Sequence, residues 1–358
     1  MTKPPKNDDQ PSSISRRGFV SHAAAVGAGG VLAKMPGVEA PPLHAEDAAV
    51  PAPIPTRPFR KNGPEISLVG FGAGSRFYGS TPDDEQGADL IRAAVDRGIR
   101  FVETGANYGG AEGLSEKRIG LAMTTHRDKV FLETKVDERG YDGAMREMER
   151  SMVRMNTDHL DLVLHHLVSR PEMLDEIAGS RGAERALRDM MDQGVVGSRG
   201  VSTHTPEMAM AALERLDPEA MQLPINAVRV PDFEEEVIPA LDAQGVAIIA
   251  MKTCGNGYFF PANATTPDRI EEYGPPDGAW DRWDLPTWTD YIHYVLSLPI
   301  TAATIGIDSY FTLEGIAAAA ASFERLPPER MASINERAQI FSGTGYWIPS
   351  ERRDGRGE

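Results

Sequence analysis

The sequence predicts an α/β fold, a closed (β/α)8 or TIM barrel entered through an N-terminal β-hairpin. Three observations predict it. Short apolar runs alternate with amphipathic helical segments, and eight such runs are present, which implies parallel strands joined by right-handed crossovers. None of the runs leads into a Gly-x-Gly-x-x-Gly turn, which counts against the runner-up, an open doubly wound sheet. The chain has 358 residues, enough for one barrel of about 250 residues with extensions at both ends.

The elements follow in order. Phe59 to Gly74 reads as a hairpin turning at Asn62-Gly63, with Ile66–Gly72 as its returning strand and the first strand of the barrel. The helical pattern Asp84–Arg97 stops at Gly98 and leads into the strand Arg100–Thr104. Ser115–Met123 precedes Val130–Lys135, and Asp142–Met155 precedes Leu160–His165. Glu184–Gln193 stops at Gly194 before Ser198–Ser202, and Pro206–Arg215 precedes Ala220–Leu223. Asp232–Gln244 stops at Gly245 before Val246–Met251. The last strand, Ala302–Gly306, is followed by Thr312–Phe323, and a further helix, Pro328–Phe341, packs outside the barrel. Gly255–Trp288 is long for a loop and holds Tyr258, Phe259, Phe260, Tyr273, Trp280, Trp283 and Trp288. It follows the seventh strand, on the face where barrel enzymes bind their substrates, and its rings suit a sugar or another flat or apolar compound.

Composition narrows the function. Apolar residues are 41% and charged residues 25% of the chain, as in ordinary soluble proteins. The net charge of −16 repels phosphate backbones, so nucleic acid is not an expected partner. The single cysteine, Cys254, excludes an intramolecular disulfide, a multi-cysteine zinc site and an iron–sulfur cluster held by this chain. Ser15-Arg16-Arg17-Gly18-Phe19-Val20 is a twin-arginine pattern, and the apolar, small-residue run from Phe19 to Ala33 behind it is too short to span a bilayer. Residues 1–45 therefore read as a signal for the twin-arginine export machinery. Val38-Glu39-Ala40 and Leu43-His44-Ala45 are alternative cleavage sites. Residues 46–58 read as a linker, 59–326 as the barrel and 327–358 as a C-terminal helix and tail. A mature, periplasmic protein without a membrane span is expected. The twin-arginine route carries folded proteins, which hints at a cofactor loaded before export.

Four segments bear chemistry. They are Arg100-Phe101-Val102-Glu103-Thr104-Gly105-Ala106-Asn107-Tyr108-Gly109 with Ser115-Glu116-Lys117-Arg118-Ile119-Gly120; Val130-Phe131-Leu132-Glu133-Thr134-Lys135; Asp158-His159-Leu160-Asp161-Leu162-Val163-Leu164-His165-His166; and Gly194-Val195-Val196-Gly197-Ser198-Arg199-Gly200-Val201-Ser202-Thr203. In this order they resemble the aldo-keto reductase family, over about residues 57–326. The resemblance implies a nicotinamide-dependent oxidoreductase acting on an aldehyde, ketone or sugar, or on the matching alcohol. It makes Tyr108 the general acid/base, Lys135 its ammonium partner, His166 the donor to the substrate oxygen and Glu103 the holder of Lys135. A free tyrosine titrates near ~10, and a neighbouring ammonium is expected to lower that. Glu103 stands where the family has aspartate. His165 alternates with His166 and is expected to point away from the barrel axis.

The resemblance also implies a cofactor site. Ser202, Thr203 (where asparagine is usual) and Gln222 would hold the nicotinamide carboxamide, for which their donors and acceptors suit. A helix N-cap before Pro206 is the other role open to the Ser-Thr pair. Lys252 would meet the pyrophosphate. Gly306, Asp308 and Glu314 align with the adenosine-binding stretch, and Ile316 stands where an adenine-contacting asparagine is common. Asp308 with no base nearby favours NAD over NADP, because a carboxylate accepts from a 2′-hydroxyl and repels a 2′-phosphate. Phe341–Pro349 resembles the cysteine-rich tail of ferredoxin-bearing relatives without its cysteines. No metal site is expected, and the oligomeric state is open. The competing class is an exported barrel that binds a dinucleotide or another small ligand without turnover. Lyase or isomerase chemistry would need a metal or base cluster that the sequence lacks.

Overall fold

A computed structural model describes residues 52–255, 259 and 285–342. Two compact units divide the chain, Met1–Val50 and Pro51–Glu358. The first lies outside the described residues, and the export signal with it. The same holds for most of the aromatic segment after the seventh barrel strand and for the tail beyond residue 342.

Ten strands are described. β1 (Thr56–Pro58) and β2 (Glu65–Ser67) pair antiparallel, Arg57 against Ile66. Eight more close a parallel barrel: β3 (Val69–Gly72), β4 (Phe101–Glu103), β5 (Phe131–Val136), β6 (Leu160–His165), β7 (Val196–Ser202), β8 (Ala220–Pro224), β9 (Ala247–Met251) and β10 (Ala302–Gly306). β10 returns to β3 with Gly306 beside Gly72. The eight-stranded expectation is met.

The hairpin departs from the sequence reading. Its first strand begins at Thr56, inside the segment read as linker, and the run Ile66–Gly72 divides at Leu68 into a hairpin strand and a barrel strand. Ser67 makes the break: its hydroxyl donates to Val69 O (2.7 Å) and accepts from Arg100 N (2.9 Å), turning the chain from cap to barrel. The Asn62-Gly63 turn stands, with Asn62 at φ 64°.

The barrel interior explains why the hairpin forms. Phe101, Phe131, Leu162, Ala220, Ala247 and Ala302 fill the interior from six strands, and the hairpin's Phe59 and Ile66 join them. Phe59 stacks 4.6 Å from Phe131, so the hairpin plugs the end opposite the strand C-termini. Phe101 takes its space from β3: a Cβ on Gly70 would stand 2.7 Å from the Phe101 ring. β7 and β8 approach equally closely at Gly200, whose Cβ would meet Ala220 O at 2.1 Å. A second, larger apolar cluster lies between strands and helices.

Helix ends follow local chemistry. Asp83 caps Asp84–Asp96 through Gln86 N (2.8 Å), and Gly98 at φ 106° ends it. The cap of Pro206–Leu216 is Thr205, so neither Ser202 nor Thr203 is used for capping. The helix expected at Asp232–Gln244 covers only Val237–Ala243. The loop read as ending at Trp288 gives way there to a helix, Trp288–Ser297, opened by a Thr287/Asp290 capping box. No helix among the described residues is long and apolar enough to cross a membrane.

Candidate active site

The site lies where the strands end. Phe101 and Glu103 on β4, and Phe131, Glu133 and Lys135 on β5, alternate into the barrel. Tyr108 follows β4 on a tight loop. That loop is fixed by Tyr108 N to Gly105 O (3.0 Å), Ser115 N to Tyr108 O (3.1 Å) and Ala106 N to Lys135 O (3.2 Å). The Ser-Glu pair of the first motif fastens it from below. Ser115 Oγ donates to Ala73 O (2.7 Å), and buried Glu116 accepts from Thr134 Oγ1 (2.8 Å) and Arg154 (3.2 Å). Arg154 also donates to Ala106 O and Ala111 O in the loop itself.

Three of the expected catalytic residues meet directly. Lys135 Nζ bonds Glu103 Oε1 and Thr104 O (2.7 Å). Tyr108 Oη donates to the same Glu103 oxygen at 3.4 Å, and Nζ sits 5.0 Å from the Tyr108 ring centre. The longer side chain at position 103 thus still reaches the lysine. His166 joins edge-on, its ring 5.7 Å from that of Tyr108. Its Nδ1 pairs with Asp137 (2.8 Å), and Asn107 Nδ2 donates to the other Asp137 oxygen (2.9 Å). Nδ1 as the donor is assigned from this pairing; it leaves Nε2 for a substrate. Burial pushes the Asp137 carboxyl up, but the bonds and charges of His166, Arg139 and Asn107 outweigh it and hold it below the ordinary range.

The electrostatics correct one expectation. Burial pushes the Tyr108 phenol well above its ordinary range; Lys135 pulls it down, and Glu103 offsets part of that pull. Burial also disfavours the Lys135 ammonium, yet the carboxylates around it and Tyr108 outweigh this and raise it. Lys135 thus acts in the expected sense on Tyr108, and desolvation is the larger effect. His165 faces outward, buried on Glu184 (3.1 Å), as its alternation with His166 requires.

The cofactor residues divide into three groups. Ser202 and Gln222 are neighbours in the β7–β8 register, and Thr203 N bonds Gln222 O (3.2 Å). Ser202 Oγ accepts from Leu167 N (2.9 Å), and Gln222 Nε2 donates to Thr304 Oγ1 (3.2 Å). Thr203 Oγ1 and Gln222 Oε1 are buried with no hydrogen-bond partner among the described residues. An unpaired buried polar atom costs about 1–3 kcal/mol. A primary carboxamide supplies the N–H donors and carbonyl acceptor that a glutamine oxygen and a threonine hydroxyl require. The residues present therefore fit a nicotinamide. Lys252, directly after β9, has a left-handed backbone at φ 57°.

At the adenosine end the structure overturns the reading of Asp308. A base is nearby: Arg76 donates to Asp308 Oδ2 from Nε (3.1 Å) and Nη2, and Ser309 and Thr312 donate to Oδ1. Burial raises the Asp308 carboxyl, but these partners outweigh it and hold it below its ordinary range. Arg76 lies 232 residues away in sequence and arrives because β10 closes on β3. Gly306 lies beneath it, its Cβ position 3.3 Å from the Arg76 side chain. Glu314 is not brought to this group. It is two residues past Thr312, about 200° around the helix, and its exposed carboxylate pairs with Arg97 (3.3 Å). Ile316 is buried in the apolar layer. In the aromatic segment, Phe259 packs between Tyr291 and Phe341 in the core, and Trp288 against Phe311. Its other rings lie outside the described residues. Among the described residues, no group of three or more His, Cys, Asp or Glu is placed to hold a metal.

Similarity to known proteins gives the family and the fold. The model of the aldo/keto reductase family matches residues 68–291. The chain belongs to that family. It is 26% identical over 217 residues to probable aldo-keto reductase 1 of Glycine max, which covers 55% of this chain and 58% of that protein. It is 27% identical over 257 residues to D-threo-aldose 1-dehydrogenase of a Pseudomonas species, covering 62% of this chain and 75% of that protein. The fold matches an aldo/keto reductase of Klebsiella pneumoniae solved with NADP and acetate, at TM-score 0.61 and 20% identity, over 81% of this chain and 96% of that one.

Proposed function

We propose that this family member is an oxidoreductase that moves hydride between a nicotinamide dinucleotide and a carbonyl or alcohol substrate, with Tyr108 as its acid/base. The observation that carries the reading is the contact of Lys135, Glu103 and Tyr108 on one carboxylate oxygen, with His166 edge-on to the phenol. Ser202, Thr203 and Gln222 would hold the carboxamide, Lys252 the pyrophosphate, and Gly306 with the Arg76–Asp308 pair the adenosine end. When bound, the nicotinamide supplies the hydride.

The chain's own residues do the rest. His166, oriented by Asp137, offers Nε2 to the substrate oxygen. Tyr108 carries its proton at neutral pH, as a phenol ordinarily does, and burial acts in the same direction. It is thus already in the donor form when an alkoxide develops. Lys135 steadies the phenolate left behind, and Glu103 keeps Lys135 in place. The apolar floor of Phe101, Phe131 and Leu164 keeps water out from below.

The Arg76–Asp308 pair removes the ground for preferring NAD. The Asp308 charge is already answered, and its oxygens already accept bonds. Tryptophan-fluorescence titration with NADH and NADPH in parallel tests the binding reading. Saturable binding of both is expected, and no binding of either at millimolar cofactor would sink it. We further propose twin-arginine export to the periplasm, on the strength of Ser15-Arg16-Arg17-Gly18-Phe19. Cell fractionation of a variant carrying Arg16→Lys and Arg17→Lys should show retention in the cytoplasm; export equal to that of the parent would refute it.

A further inference from the structure

Lys135 has two glutamates beside it, and the chemistry above uses one. Glu103 and Glu133 face each other in the β4–β5 register, so two carboxyl groups enter the barrel side by side. Glu133 Oε1 lies 3.3 Å from Lys135 Nζ. Glu133 is fully buried, and neither of its oxygens accepts a hydrogen bond among the described residues. Glu103, by contrast, accepts from both Lys135 and Tyr108. Leu162 stands opposite Glu133 in the β5–β6 register, and Phe101, Phe131, Leu162 and Leu164 belong to one apolar cluster of the barrel interior. The charged and titratable groups facing Glu133 are Lys135 on its own strand, Glu103 on β4 and Tyr108 on the loop after β4.

One ammonium does not balance two neighbouring carboxylates in a dry interior, and one of the pair is driven to hold a proton. Glu133, held by the longer of the two Lys135 contacts and by no second donor, is the one that does so. We propose that Glu133 is a proton-bearing positioning residue of this site: it is neutral while the site works, and its ionisation weakens Tyr108 as a proton donor and closes the alkaline side of the activity. The proposal rests on the reductase reading. Ionisation sends the Glu133 proton to solvent and changes no other bond. The new charge, next to Lys135, opposes the phenolate that Tyr108 must become.

Burial pushes the Glu133 carboxyl up from 4.5 to about 8, against the pull of Lys135. The folded chain therefore holds a proton that the unfolded chain releases above about 4.5. The stability that this proton confers is present at acid pH and is lost as pH rises through about 8.

Wild type and Glu133→Gln are compared between about pH 6 and pH 9. The probe reaction is the reduction of 4-nitrobenzaldehyde by NADPH. At the acid end, the wild-type infrared spectrum should show a protonated-carboxyl carbonyl band that the variant lacks and that fades towards the alkaline end. The thermal midpoint of wild type should fall across this range relative to the variant. Wild-type kcat should drop about tenfold with little change in KM, and kcat of the variant should drop by no more than about threefold. Wild-type spectra without that band, or coinciding pH profiles, overturn the proposal. Absence of turnover by wild type at every pH overturns the reductase reading and the kinetic half of the proposal. The infrared difference between wild type and Glu133→Gln, which needs no turnover, then decides the proton-bearing half separately.

Discussion

Asp137 decides which nitrogen of His166 faces the substrate. A carboxylate on Nδ1 can only accept, so the ring must donate there and turn Nε2 outward. An asparagine can donate or accept and no longer imposes that choice. Asp137→Asn should therefore lower kcat/KM for an aldehyde about tenfold or more while leaving the Kd for dinucleotide in place. Steady-state kinetics beside a fluorescence titration measures both, and an unchanged kcat/KM would remove Asp137 from the account. At this scale the sequence shows the donors and hides the partners. Tyr108, Lys135, His166 and Glu103 lie within recognisable patterns, and the structure brings them together. Asp137 is two residues past Lys135, but nothing in the sequence ties it to a histidine 29 residues on. The alternation of Phe131, Glu133 and Lys135 could have placed Glu133 in the barrel, whereas its register with Glu103 is visible only in the sheet.

At the scale of elements, the hairpin is part of the core. The hairpin carries Phe59, directly after β1, and Ile66 on β2 into the interior that the barrel strands cannot fill alone, since β3 is thinned by glycine beside Phe101. Phe59 is 2% exposed and stacks on Phe131, two residues below Glu133. Phe59→Ala should destabilise the fold by about 3–5 kcal/mol, the range for removing a buried phenylalanine. Denaturant unfolding measures this, and a loss under about 1 kcal/mol would show the plug to be dispensable. The alternating runs were legible because strand and helix periodicities differ. The division at Leu68 was not, because a continuous apolar run carries no mark of where the chain turns from cap to barrel. Ser67 makes that turn with bonds to Val69 and Arg100, a contact across 33 residues.

For the whole molecule, closure of the barrel does what local sequence cannot. β10 beside β3 places Arg76 on Asp308 and changes the meaning of that aspartate from a repeller of phosphate to one half of an ion pair. Direct pairing of β4, β5 and β6 gathers Glu103, Tyr108, Lys135 and His166 from three successive strand ends into one group. The central claim is that this group transfers a proton to a reduced carbonyl, and Tyr108 is its proton donor. The most direct measurement compares wild type with Tyr108→Phe for NADPH-driven reduction of 4-nitrobenzaldehyde, with dinucleotide Kd determined on both proteins. The account predicts a matching Kd and a kcat lowered about 10²–10⁴-fold, the usual worth of a positioned acid. Equal turnover by the two proteins would contradict it.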